Sequence, residues 1–188
     1  MNTPNGLTEI NAVYGVPYTS SMHENSQWYA ENIISVPLPF PLRVAWALHT
    51  SVTHVEFHKK AADALVAAFT DIYNYARILI KKHYGFDETT AFYDKKTLAL
   101  LQALGLDIWG GTYNFRTKRG MHEVSCHSYG IAIDMDPDHN PMQSSRFKIK
   151  TTFPLWYIAA FKANGFKWGG EFRGSRKDAM HFQLATGY

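Results

Sequence analysis

The 188-residue chain has a single cysteine, Cys126. One cysteine closes no internal disulfide and builds no cysteine zinc knuckle, so packing has to hold the fold together. Basic runs are equally scarce, and none is longer than two residues. Lys plus Arg is 19 against 16 for Asp plus Glu, which leaves a net charge of only +3. Such a balance describes a mixed, solvated surface and argues against a nucleic-acid partner. No apolar run approaches the roughly 20 residues that a bilayer-spanning helix needs. Residues 1–15 lack a basic stretch followed by an apolar core, so no signal peptide is read and synthesis in the cytoplasm is expected. Gly110-Gly111 is not followed by Gly-Lys-Ser/Thr, which excludes a phosphate-cradling loop of that type. Internal repeats and low-complexity tracts are absent. Apolar and aromatic side chains are plentiful, at 46% and 15% of the chain. That composition describes a globular chain long enough for one domain with a sizeable core.

Residues 1–50 are rich in Gly, Pro, Asn and Ser. The cluster Pro37-Leu38-Pro39-Phe40-Pro41 argues against a regular helix or a central strand. The expectation is an extended arm packed on the domain, with a short helix near Thr8 to Tyr14. From Glu56 to Lys82, Ala62, Leu65, Phe69, Ile72, Ala76 and Leu79 recur at spacings of three and four, predicting one amphipathic helix that stops at Gly85. A second helix is predicted from Asp94 to Ala103, with Asp94 as its N-cap and Gly105 as its stop. After Gly105 the period changes. Asp107 to Arg116 reads as a strand broken at Gly110-Gly111. Ile131, Ile133 and Met135 alternate with Ala132, Asp134 and Asp136, so Asp134 and Asp136 should share a strand face. Thr152, Pro154 and Gly165 bracket a third helix. Phe166 to Trp168 and Met180 to Leu184 complete the strands. The fold class predicted is α+β: a small antiparallel sheet flanked by helices. All of 1–188 is expected to form one catalytic domain, with 104–188 as its core.

Two segments concentrate the chemistry. Ser125-Cys126-His127-Ser128-Tyr129-Gly130-Ile131-Ala132-Ile133-Asp134 carries a His and an Asp around a glycine, and Asp178-Ala179-Met180-His181-Phe182-Gln183 offers a second pair. Two His and one Asp suffice to ligate a catalytic Zn²⁺ that keeps one position open. The remaining Asp is then free to act as a base toward water. Residues three apart on a regular strand point to opposite faces, so His181 is expected to ligate and Asp178 to approach the water. Gln183 shares the face of His181 and is a candidate hydrogen-bond partner for it. Arg116 and Arg119 could stabilise charge on a carbonyl oxygen or hold a carboxylate, but from the residues alone ordinary surface charge is the better reading. His122-Glu123-Val124-Ser125-Cys126-His127 is not a helical zinc motif, because its second His falls one place late. Asp134, Asp136, Asp138 and Asn140 alternate as in a calcium loop, but His139 and Ser145 stand where Gly and Glu are required. Cys126 reads as a small buried filler.

These residues resemble a known family. Ser125-x-His127-x-x-Gly130-x-Ala132-x-Asp134, followed by Asp178-x-x-His181-Phe182, looks like the zinc D,D-peptidases of peptidase family M15. Gly110-Gly111-x-Tyr113-Asn114-x-Arg116-x-x-Arg119-Gly120, Asp134-x-Asp136-Pro137 and Trp168-Gly169-Gly170 look like its L-alanyl-D-glutamate endopeptidase and phage endolysin branch. His58-Lys59-Lys60 and Asn5-Gly6 are similar as well. The resemblance implies a Hedgehog/D,D-peptidase-like zinc fold. It implies zinc on His127, Asp134 and His181, with Asp178 as general base. Arg116, Arg119 and Ser125 would serve the substrate, which would be a peptidoglycan stem peptide. A monomer acting on the cell wall after release or export is expected; many lytic enzymes of this kind carry a separate wall-binding domain, and here targeting is expected to come from the catalytic domain itself. The alternatives are a D-alanyl-D-alanine carboxypeptidase and, outside the enzymes, a wall-binding or phage structural protein with a structural zinc.

Overall fold

A computed structural model describes residues 3–118, 123–144, 149–173 and 176–187. Helices α1 (Gly6–Tyr14) and α2 (Ser26–Asn32) lead into two long strands, β1 (Ile33–Val44) and β2 (Ala47–His58). Helices α3 (Ala62–Tyr84) and α4 (Thr90–Ala103) follow. The remainder is β3 (Ile108–Gly111), a 3₁₀ turn (Cys126–Tyr129), β4 (Ala132–Met135), β5 (Met142–Ser144) and α5 (Leu155–Ala163). Then come β6 (Lys167–Trp168), a second 3₁₀ turn (Gly169–Glu171), β7 (Arg176–Asp178) and β8 (His181–Gln183). Six strands form one sheet in the order β2-β1-β3-β4-β8-β6, while β5 pairs with β7 separately. The class is α+β, but the sheet is mixed rather than antiparallel, because β1 and β3 run parallel at Arg43–Ile108 and Val44–Trp109.

The first fifty residues are not an arm. They supply β1 and the start of β2, which pair along most of their length. Pro39 and Pro41 fit because the ladder is interrupted where they stand, and Pro37 is the last paired residue before the break, opposite His54. Between Pro37 and Leu42, β1 advances five residues while β2 moves only two, from His54 to Val52. Missing proline N–H groups cost nothing where no ladder bond would form. The long helix also starts later than its periodicity suggests. Glu56, Phe57 and His58 belong to β2, and α3 begins at Ala62. Its buried stripe is Ala62, Leu65, Ala68, Phe69, Ile72, Ala76 and Ile80, so Ile80 replaces Leu79 at the last turn. In α4 the cap is Thr89, whose side chain accepts the Phe92 N–H. Asp94 lies inside that helix and accepts the Tyr73 hydroxyl instead.

One face of the sheet makes the core. Ile133 of β4 and Phe182 of β8 are register partners and fully buried. Phe161 of α5 stacks on Phe182 at 4.2 Å between ring centroids. Burial of several such rings is the main stabilising term, each worth a few kcal/mol. Because strand side chains alternate, the neighbours of Ile133 and Phe182, namely Asp134 and His181, project from the opposite face.

Candidate metal centre

Ser125 starts the first 3₁₀ turn, where its hydroxyl accepts the His127 N–H at 3.3 Å. Gly130 ends the turn in the left-handed region at φ 63°. A Cβ there would come within 2.6 Å of Ile33 Cδ1 and 2.9 Å of the His58 nitrogen. This position therefore needs glycine both for its backbone and for the close approach of β2. Ser128, fully buried, accepts the Arg116 N–H at 2.8 Å and donates to the Arg116 carbonyl at 2.8 Å. The turn thus fixes His127 and anchors the loop that carries Arg116.

His127 Nε2, His181 Nδ1 and Asp134 Oδ1 converge. Their separations are 3.2 Å between the two imidazoles, 3.2 Å from His127 to Asp134 and 2.8 Å from His181 to Asp134. Two ligand atoms about 2.0–2.1 Å from one ion at a tetrahedral angle stand roughly 3.3 Å apart. The outer ring nitrogens fix the tautomers. His127 Nδ1 lies 2.6 Å from the Thr112 carbonyl, an acceptor only, so that nitrogen carries the proton. Gln183 donates its amide to the Ala185 carbonyl at 3.0 Å, which turns its oxygen to His181 Nε2 at 2.9 Å. His181 Nε2 is therefore the protonated nitrogen. In neutral rings the inward nitrogens are both lone pairs, and they face a carboxylate. Three acceptors in contact require a cation or a proton among them, and this donor set suits Zn²⁺.

The electrostatics agree. Burial alone would raise the Asp134 pKa, but the charges and hydrogen bonds of His127 and His181 hold it well below the usual carboxylate range. Burial would likewise lower His181, and contact with the Asp134 carboxylate raises it instead. Asp178 behaves differently. Its pKa is raised, chiefly by burial, with His181, Asp134, His127 and Arg116 all in its field. Its Oδ1 is buried and has no hydrogen-bond partner among the described residues. A carboxylate left unsatisfied beside three potential ligands is arranged to take a proton.

Asp178 is not on the same strand as His181. It ends β7, and a two-residue turn, Ala179-Met180, separates it from β8. The second 3₁₀ turn holds it there. Trp168 Nε1 donates to the Ala179 carbonyl at 2.7 Å. Any Cβ on Gly169 would collide with the Asp178 carbonyl oxygen. Thr112, Ser128 and Gly169 were not legible as site residues. Thr112 acts through its backbone, which leaves no side-chain signature, whereas Gly169 could have been found from the Trp168-Gly169-Gly170 motif.

A cleft of about 1050 Å³ opens over the centre, lined in part by Arg116, Ser125, Asp134, Lys167, Asp178 and His181. Arg119 lies outside the described residues, as do His122 and Ser145. Asp136 does not share the face of Asp134. It leaves the strand at φ 40° and bonds His139 Nδ1 at 2.8 Å. Cys126 is buried, which pushes its thiol up to about 12 and leaves it inert. Among the described residues, His127, Asp134 and His181 are the one such group able to hold a metal ion.

Two imidazoles and one carboxylate able to hold a metal ion thus stand beside a second carboxylate in an open cleft. A family model described as D-alanyl-D-alanine carboxypeptidase matches residues 119–184, a span containing His127, Asp134, Asp178 and His181. That span resembles peptidase family M15, whose members are zinc-dependent peptidases. No solved structure matches the chain.

Proposed function

We propose that the protein is a zinc peptidase that hydrolyses an amide bond within peptidoglycan stem peptides, cutting between L-alanine and D-glutamate. The reading rests on the triangle of His127 Nε2, His181 Nδ1 and Asp134 Oδ1 beside the Asp178 carboxylate, whose buried Oδ1 has no hydrogen-bond partner among the described residues. Zinc held by those three residues would supply a water acidified from a pKa near 16 to roughly 7 and a Lewis acid for the carbonyl oxygen. Asp178 takes the proton from the water as its oxygen adds to the carbonyl carbon. When the C–N bond breaks, Asp178 returns that proton to the leaving amine, so acid, amine and enzyme balance. Arg116, coupled to Asp178 and lining the cleft, offers positive charge to the carbonyl oxygen or to a substrate carboxylate. Thr112 and Gln183 keep the two imidazoles in the tautomers that ligation needs. The cleft, at about 1050 Å³, has room for a peptide substrate. The protein would meet its substrate at the cell wall after release or export.

The description attached to the matching family model favours a second reading, removal of a terminal D-alanine. Mass analysis of fragments from purified peptidoglycan separates the two. An Asp178→Asn protein tests the shared chemistry: zinc content should be unchanged while the rate falls roughly 10²–10⁴-fold. Normal digestion by that variant would defeat the assignment.

A further inference from the structure

Two rows of side chains cross the site face of the main sheet. In the first, Asp134 of β4 stands opposite His181 of β8. In the second, Gln183 of β8 stands opposite Lys167 of β6. Paired residues project to the same face, as do residues two apart on one strand. Lys167 therefore shares the face of the candidate ligands, directly across from the glutamine that orients His181. It is exposed, lines the cleft, and has no hydrogen-bond or ion-pair partner among the described residues. Two other lysines of the cleft are engaged. Lys118 pairs with Glu123 at 2.7 Å, and Lys177 donates to the Phe172 carbonyl.

The N-terminal segment borders the cleft here. Thr186 N donates to the Pro4 carbonyl at 2.8 Å and Gly6 N to the Thr186 carbonyl at 2.7 Å. On the other side, the Thr3 hydroxyl reaches the Gly165 carbonyl at 3.5 Å, two residues before Lys167. Asn5, between these anchors, also lines the cleft. Its side-chain oxygen accepts the Thr186 hydroxyl at 3.1 Å, so its amide N–H groups remain available. A cation and an amide donor at one end of a cleft whose other features handle an amide bond suit a carboxylate on the same substrate.

We propose that Lys167, assisted by the Asn5 amide, forms a carboxylate subsite that selects acidic peptides, a role that rests on the peptidase reading above. The natural occupant is the free carboxylate of the glutamate beside the bond to be cut. Lys167 then determines specificity and takes no part in the proton transfers.

The test uses two synthetic stem peptides, identical except that the glutamate carboxylate is free in one and amidated in the other. Steady-state kcat and KM are measured for the zinc-loaded wild type and for Lys167→Gln, with zinc content checked in each. The wild type should prefer the free-acid peptide. Lys167→Gln should reduce that preference about tenfold, the size of one charged hydrogen bond, with the loss carried by KM. Lys167→Arg should restore most of it, and Asn5→Ala should reduce it by less. An unchanged preference in Lys167→Gln overturns the subsite while leaving the peptidase reading intact. Failure of the wild type to cleave either peptide refutes the peptidase reading, and the subsite with it.

Discussion

Replacing Gln183 by leucine should loosen the metal centre without touching a ligand. Gln183 is 5% exposed and His181 7% exposed, so neither can recruit bulk water as a substitute partner. The change removes the acceptor 2.9 Å from His181 Nε2 and the donor 3.0 Å from the Ala185 carbonyl. Each orphaned buried group costs about 1–3 kcal/mol. The first of these costs falls on the orientation and tautomer of His181, because Nδ1 is no longer held as the free lone pair. Loss of such a partner typically weakens metal binding about 10–100-fold, equivalent to roughly 1.4–2.7 kcal/mol. Competition against a chromophoric chelator at neutral pH reads this directly as a lower midpoint. Gln183→Glu keeps an acceptor for His181 and should lose less. A chelator midpoint identical in wild type and Gln183→Leu would refute the tautomer argument, whatever the activity of the variant.

His58 offers a test of stability. It is fully buried, its Nδ1 accepts the Lys60 N–H at 3.1 Å, and its Nε2 lies 3.1 Å from the Tyr14 carbonyl. Burial lowers its pKa from 6.5 to about 4, so the unfolded chain binds the proton more readily. Its contribution is intact above pH 6.5 and is lost as pH falls toward 4, by about 3 kcal/mol in all. Urea midpoints at pH 7 and pH 4.5 should diverge less in His58→Gln than in the wild type, and equal divergence would count against this. Gly169→Ala should displace Asp178, because the new methyl group meets its carbonyl oxygen. The expected result is a kcat at least about tenfold lower, as for a misplaced catalytic group, at unchanged zinc content. Asp178→Asn, expected above to be slowed roughly 10²–10⁴-fold, should also be no less stable than the wild type near neutral pH. It removes a buried charge whose protonation the fold favours.

How much of this could be read from the chain differs by element. The alternation through Ile131, Ile133 and Asp134 put the carboxylate on the face opposite the core because burial on one side of a strand leaves a period of two. The stripe through Leu65, Phe69, Ile72 and Ala76 likewise announced α3. Its start was misjudged because Glu56, Phe57 and His58 fit a helical period while their hydrogen bonds go to β1. The prolines of β1 were the strongest misleading signal. Proline is excluded only where a ladder bond is needed, and the break between Pro37 and Leu42 depends on β2, which no local pattern reveals. The ligand candidates His127, Asp134 and His181 were legible as residue types, and the structure brings them together. The tautomer control by the Thr112 carbonyl was not, since any residue at that position offers the same group. The position of Asp178 was half legible. Its distance from His181 in sequence argued for separate faces, but the separate strand and the glycine that admits it are tertiary facts.

The central claim is that His127, Asp134 and His181 hold one divalent ion together. Metal analysis by mass spectrometry, after dialysis against metal-free buffer and addition of one equivalent of zinc, measures it most directly. The wild type should retain about one zinc per chain, and folded Asp134→Ala should retain little, as expected when a three-ligand site loses one donor. Equal retention by both proteins, or none by the wild type, would contradict it.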